Sequence, residues 1–196
     1  MRRSLRGARD EADFRDAQAE LASLRAAAEG GEFELYYYDE AGFSLEPCVP
    51  YAWQPQGETL ELPSATGKRL NVLGFLRHDH EFHSFVFEGA IDSQVVISCF
   101  DRLSLMIRKL TLVIIDNAPT HTSAAFEACR AEWEARGLYV MFLPPYCPEL
   151  NLIEIVWRKL KYEWLPLNAY RSFKHLGRAL NETLRQVGSK YRIAFA

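Results

Sequence analysis

Leu112-Val113-Ile114-Ile115-Asp116 is a run of four apolar residues closed by a carboxylate. A short continuous apolar run bounded by a turn former has the signature of a strand buried on both faces. The residues after it extend the pattern. Thr122 to Arg136 reads as a helix stopped by Gly137, Leu138 to Leu143 is a second buried strand, and Pro144-Pro145 turns the chain.

Working outward, Phe33 to Tyr38 is aromatic and β-prone and runs into Asp39-Glu40-Ala41-Gly42, which reads as a turn. Ser44 to Gly67 carries Pro47, Pro50, Pro55 and Pro63 and is expected to be irregular. Arg69 to Arg77 and Phe82 to Phe87 form a predicted hairpin with His78-Asp79-His80-Glu81 at its tip, and Ser93 to Lys109 a predicted helix. Two further helices are expected, from about Leu152 to Trp164 and from Ser172 to Val187. The order predicts an α/β fold, a mixed five-stranded sheet with helices on both faces. Residues 8–29 carry Phe14, Ala17, Leu21, Leu24 and Ala28 at three- and four-residue steps before Gly30-Gly31, an amphipathic helix that either docks on the body or links to something upstream. The chain therefore divides into a helix or linker over 1–31 and one domain over 32–196.

With 196 residues, 48% hydrophobic and 25% charged, the composition is that of an ordinary globular domain. No apolar run approaches the ~20 residues of a membrane-spanning helix, and charged residues follow Met1-Arg2-Arg3 where a secretory leader would be apolar. The expectation is a cytoplasmic protein without a membrane partner. Cys48, Cys99, Cys129 and Cys147 are scattered, which argues against a zinc knuckle or a disulfide framework. The net charge of −3 hides an asymmetry: from Arg158 onward nine Lys or Arg face two Glu, a net of +7, leaving −10 for the rest. One end of the chain is suited to phosphates.

Three acids stand where elements end or begin: Asp39, Asp116 and Glu154. If the first two leave adjacent parallel strands at one sheet edge, a third from a nearby helix completes an oxygen cage for magnesium. Two such ions activate an attacking hydroxyl and stabilise the leaving oxygen of an in-line phosphoryl displacement. Spacing alone leaves other readings open. Asp39 and Asp116 also fit turn positions, and Asn151-x-x-Glu154 has the form of a capping box.

The surrounding residues are more specific. Tyr38-Asp39-Glu40-Ala41-Gly42-Phe43 with Trp53 downstream, Asp116-Asn117-Ala118-Pro119-Thr120-His121, and Pro144-Pro145-Tyr146-Cys147-Pro148-Glu149-Leu150-Asn151-Leu152-Ile153-Glu154-x-x-Trp157-x-x-Leu160-Lys161 resemble the three catalytic blocks of DDE transposases, in order. The resemblance is to the bacterial insertion-sequence branch of the mariner superfamily. It implies a ribonuclease-H-like fold and Mg2+ or Mn2+, with two ions in the full site. It also implies cleavage of DNA at the ends of an insertion sequence, and joining of the freed 3′ hydroxyl to target DNA. Asp39, Asp116 and Glu154 become the catalytic and metal-binding triad. Asn117, His121 and Asn151 fall in the same blocks, where Asn117 and His121 would orient a ligand carboxylate or water. DNA is the implied partner, both element ends and target, bound by a homodimer. Two positions depart from the pattern: Leu152 replaces the usual Pro, and Ile155 stands at a commonly polar position. Relatives carry helix-turn-helix modules upstream, so a catalytic half is the expectation here.

Arg158 and Lys161 lie at i+4 and i+7 from Glu154, on one helical face suited to DNA phosphates, or else to a solvated ion pair. Trp157, Leu160 and Trp164 read as core. His78, His80 and His83 sit at a hairpin tip, which favours a polar loop over a zinc site. Two rivals remain: another ribonuclease-H-like nuclease, such as a junction resolvase, and a catalytically silent DNA-binding or assembly protein derived from a transposase.

Overall fold

The computed structural model describes residues 9–48, 56–57 and 67–194. The proline-rich loop expected between Ser44 and Gly67 falls largely outside these residues, Pro50, Trp53, Pro55 and Pro63 among them. The first helix, α1 (Glu11–Glu29), begins where Asp10 accepts hydrogen bonds from the amides of Ala12 and Asp13. Its buried residues, Ala17 and Leu21, follow the periodicity of the sequence and pack on the sheet.

Five strands form one sheet in the order β3-β2-β1-β4-β5. They are β1 (Glu34–Phe43), β2 (Leu70–Arg77), β3 (Phe82–Glu88), β4 (Thr111–Ile115) and β5 (Leu138–Phe142). β1, β2 and β3 pair antiparallel, whereas β1, β4 and β5 pair parallel, so the sheet is mixed. The hairpin and both buried strands lie where the apolar runs predicted them.

β1 corrects the expectation at its end. Asp39-Glu40-Ala41-Gly42 is not a turn; the strand continues to Phe43 because β2 supplies a ladder across all of it, from Tyr36 opposite Arg77 to Phe43 opposite Leu70. A tertiary partner overrides local turn propensity. The second helix, α2 (Ser93–Ser104), ends five residues earlier than expected, because the chain must reverse into β4 at Thr111.

Side chains alternate across the strands and feed two cores. Leu35, Tyr37, Ala41, Val72, Leu76 and Ile114 face one side. They are covered there by α1, α4 (Ile153–Lys159) and α5 (Phe173–Leu184) through residues such as Leu21, Val156 and Leu180. Tyr36, Tyr38, Leu73, Phe75, Val113 and Ile115 face the other side, covered by α2 and α3 (Ala124–Ala135) through Phe100, Phe126 and Trp133. α3 starts at Ser123, whose hydroxyl accepts from the Phe126 amide. α4 passes into a wider π-helical turn over Leu160–Trp164. Among the described residues no helix is long and apolar enough to cross a membrane.

Candidate active site

The parallel pairing of β1 with β4 runs from Glu34 opposite Thr111 to Tyr37 opposite Ile114. Carried two residues further, that register brings Asp39 level with Asp116. β4 stops at Ile115 while β1 runs on beside β2 alone, so the sheet loses a strand at this level. The gap opens a cavity of about 430 Å³ whose lining includes Asp39, Asp116, Asn117, Asn151 and Glu154. Five of the residues singled out from the sequence therefore share one site. His121 stands directly behind it, Arg158 lies further along α4, and Lys161 lies past its end in the π-helical turn.

Asp39 points to the α4 side of the sheet, where the indole Nε1 of Trp157 donates to its Oδ2 at 3.0 Å. The indole reaches it because the strand residue opposite Asp39 is Gly74. A Cβ at Gly74 would lie 2.8 Å from Trp157 Cη2 and 2.9 Å from Phe82 Cε2, closer than van der Waals contact permits. Burial, then the charges of Glu154, Glu40 and Asp116, hold the Asp39 carboxyl well above its ordinary value, against a backbone hydrogen bond from Glu40.

Asp116 has a different environment. Its Oδ1 accepts from the Ala118 amide at 3.1 Å and lies 2.7 Å from His121 Nδ1. The other ring nitrogen of His121, Nε2, is 2.8 Å from Glu40 Oε1, and the ring is fully buried between the two carboxylates. Only an imidazolium donates from both nitrogens. Burial works against that charge, but the hydrogen bonds and charges of Asp116 and Glu40 outweigh it and push His121 up to about 9. In return, although burial opposes it, His121 and the Ala118 amide hold Asp116 below its ordinary value. With Oδ1 engaged twice, Oδ2 is the oxygen left for a ligand.

Asn151 does not cap α4. Its Nδ2 donates to the Tyr38 carbonyl at 2.8 Å, tying the start of α4 to the strand that carries Asp39, and the capping-box alternative is not formed. Leu152 opens the helix with φ −61°, the angle a proline would fix, so this substitution leaves the local path intact. Asn117 Nδ2 donates to Leu143 O at 2.7 Å and joins the Asp116 loop to the segment after β5. Glu154 and Arg158 are exposed on α4. The Lys161 ammonium lies 5.7 Å over the Phe43 ring, turned aside by the π-helical turn.

Among the described residues, no group of three or more His, Cys, Asp or Glu stands ready to hold a metal ion. The donor chemistry nevertheless fits a hard divalent cation. Two carboxylates and an exposed third face one cavity, and their charges raise Asp39 in the metal-free state. Beside them the Oδ1 of Asn151, on a residue only 3% exposed that also lines the cavity, has no hydrogen-bond partner.

Sequence reasoning missed Glu40, Trp157 as a partner of Asp39, and Gly74. The only signal for Glu40 was its alternation with Asp39, which puts it on the opposite face of β1, toward His121. Among the described residues the three hairpin-tip histidines have separate partners: His78 Nδ1 lies 3.8 Å from Glu29, His80 Nε2 contacts Ile193 O and His83 Nε2 contacts Glu81.

A family model described as DDE superfamily endonuclease matches residues 34–177. No curated protein matches the chain. Among solved structures, the Mos1 transposase paired-end complex with left transposon end is similar with a TM-score of 0.59 and 16% identity, covering 90% of this chain and 55% of that one. The mariner Mos1 paired-end complex with Mg gives 0.59 and 14%, covering 89% and 55%. The catalytic domain of Mos1 mariner transposase gives 0.54 and 13%, covering 92% and 91%. The present chain thus spans little more than half the length of the transposase chains in those complexes, and nearly all of the catalytic domain. At these identities the likeness carries the fold, that of ribonuclease-H-like transposase catalytic cores.

Proposed function

Because this chain belongs to the DDE superfamily of endonucleases, we propose that it is the catalytic domain of a cut-and-paste transposase from the bacterial insertion-sequence branch of the mariner superfamily. The observation that carries this reading is the convergence of Asp39, Asp116 and Glu154, from three distant stretches of sequence, on one open cavity. Asp39 offers its oxygens from β1, Asp116 from just past the end of the neighbouring β4, and Glu154 from the first turn of α4. Magnesium or manganese bound there, as two ions, supplies Lewis acidity to the phosphate and a more acidic water. Trp157 and His121 fix which oxygen of each aspartate faces the cavity, while Asn151 holds α4 against β1.

In the cleavage step a water oxygen bonds to phosphorus as the P–O3′ bond breaks, leaving a 3′ hydroxyl. In strand transfer that hydroxyl attacks a target phosphate and displaces a 3′ oxygen of the target. Arg158 and Lys161 contact the DNA backbone, and the protein works in the cytoplasm as a homodimer on element ends and target. The solved relative with Mg and the one with a transposon end support this assignment of ion and partner.

Nicking of supercoiled plasmid in Mg2+ tests the reading. Slow, scattered, salt-sensitive nicking is expected, because phosphate contacts do not read sequence. It should vanish in Glu154→Gln and Asp116→Asn. Nicking that persists in both variants, or that needs no divalent ion, refutes the assignment.

A further inference from the structure

We infer that Tyr146 forms a stacking subsite for an unpaired nucleobase at the rim of the carboxylate cavity. The inference rests on the functional reading above for the identity of the ligand as DNA. Tyr146 is one of two non-glycine residues with positive φ among the described residues, at +61°. That conformation costs an L-residue energy which glycine would not incur, and such strain persists where the surroundings fix it. Here they do. Leu143 is hydrogen-bonded to Ile115 O at 2.8 Å, and Leu143, Cys147 and Leu150 are all buried. Pro144, Pro145 and Pro148 restrict the path between these anchors.

The consequence of this backbone is that a large aromatic side chain is held outward. Tyr146 is 52% exposed although it lines the cavity that holds Asp39, Asp116 and Glu154. Ordinary packing does not explain a strained tyrosine left in solvent on a short turn anchored by the buried Leu143 and Cys147. A phosphodiester engaged at the carboxylates carries its next base outward along the cavity wall. The phenol face at the rim is what such a base meets. A base still stacked in a duplex is shielded on both faces, so the subsite selects a strand end or an unstacked nucleotide. It does so without sequence preference, because every base has a π face.

The test uses a short single-stranded oligonucleotide carrying one 2-aminopurine, titrated in Mg2+ into wild type, Tyr146→Phe, Tyr146→Ala and Tyr146→Gly. Wild type and Tyr146→Phe should quench the fluorescence on binding. Tyr146→Ala and Tyr146→Gly should bind about tenfold more weakly and leave it unquenched. Tyr146→Gly, relieved of strain, should melt no lower than wild type, which separates lost stacking from lost folding. Equal affinity and quenching in wild type and Tyr146→Ala would overturn the inference, as would an unquenched wild type. Nicking reports separately on the functional reading: nicking that persists in Asp116→Asn and Glu154→Gln, or that needs no Mg2+, refutes that reading whatever the quenching shows.

Discussion

Trp157 and Asp39, 118 residues apart in sequence, are joined by an indole N–H···Oδ2 hydrogen bond of 3.0 Å. Trp157 is core by burial, at 2% exposed, yet its one polar atom is spent on a carboxylate of the candidate site. Trp157→Phe keeps a ring there and removes the donor. Hydrogen bonds to charged groups contribute roughly 1.5–3 kcal/mol, so nicking should fall about ten- to a hundredfold. The smaller ring should lower the melting temperature by only a few degrees. Unchanged nicking in a folded Trp157→Phe would show that the bond does not orient Asp39.

Divalent metal should stabilise the protein, because an ion that binds only the native state adds to its stability and here also relieves the repulsion that raises Asp39. Melting in Mn2+ should exceed melting in chelator by several degrees. Asp116→Asn should remove most of that gain. An equal response in wild type and variant would point to a site elsewhere.

The metal-free protein should lose stability as the pH rises through about 9. His121 is raised in the folded state, so its contribution is complete below its unfolded value of roughly 6.5 and is lost as it deprotonates near 9. Asp39, also raised, acts in the same direction, starting from its unfolded value of roughly 3.9. Asp116 is lowered, so its share is present at neutral pH and is lost only on acidification. Melting in chelator between pH 6 and 10 should therefore fall. His121→Asn should flatten the slope near pH 9, and a profile identical to wild type would contradict the bridged imidazolium.

Much of this was legible in the sequence, and what was not has a physical reason. Leu112 to Ile115 and Leu138 to Leu143 announced themselves as continuous apolar runs because both faces of a central strand are covered. Asp39-Glu40-Ala41-Gly42 misled because turn propensity is local, while the ladder that keeps it extended comes from β2, about thirty residues on. Asp39, Asp116 and Glu154 stood out by the residues around them. Glu40 did not, since its value depends on a loop that carries His121 behind Asp116. Gly74 was unreadable for a similar reason: its meaning lies in the cross-strand register with Asp39.

That register makes the sharpest prediction. Gly74 lies opposite Asp39, and a methyl there would stand 2.8 Å from Trp157 Cη2, 2.9 Å from Phe82 Cε2 and 3.0 Å from Ile153 Cδ1. All three neighbours belong to packed side chains, so none yields without moving another. Overpacking of this kind costs typically 1–3 kcal/mol, which for a domain of this size lowers the melting temperature by roughly 2–12 °C. The displaced group matters more than the cost. If the indole is pushed off the sheet, Asp39 loses its donor, and nicking should fall at temperatures where Gly74→Ala is still folded. The double variant Gly74→Ala/Trp157→Phe separates the two effects. Phe lacks the indole's outer atoms, so the added methyl meets less, and its stability cost should be smaller than in the wild-type background. Its nicking should match Trp157→Phe alone, since the donor is already gone. Strict additivity in both stability and nicking would mean that Gly74 acts through something other than the space it leaves for Trp157.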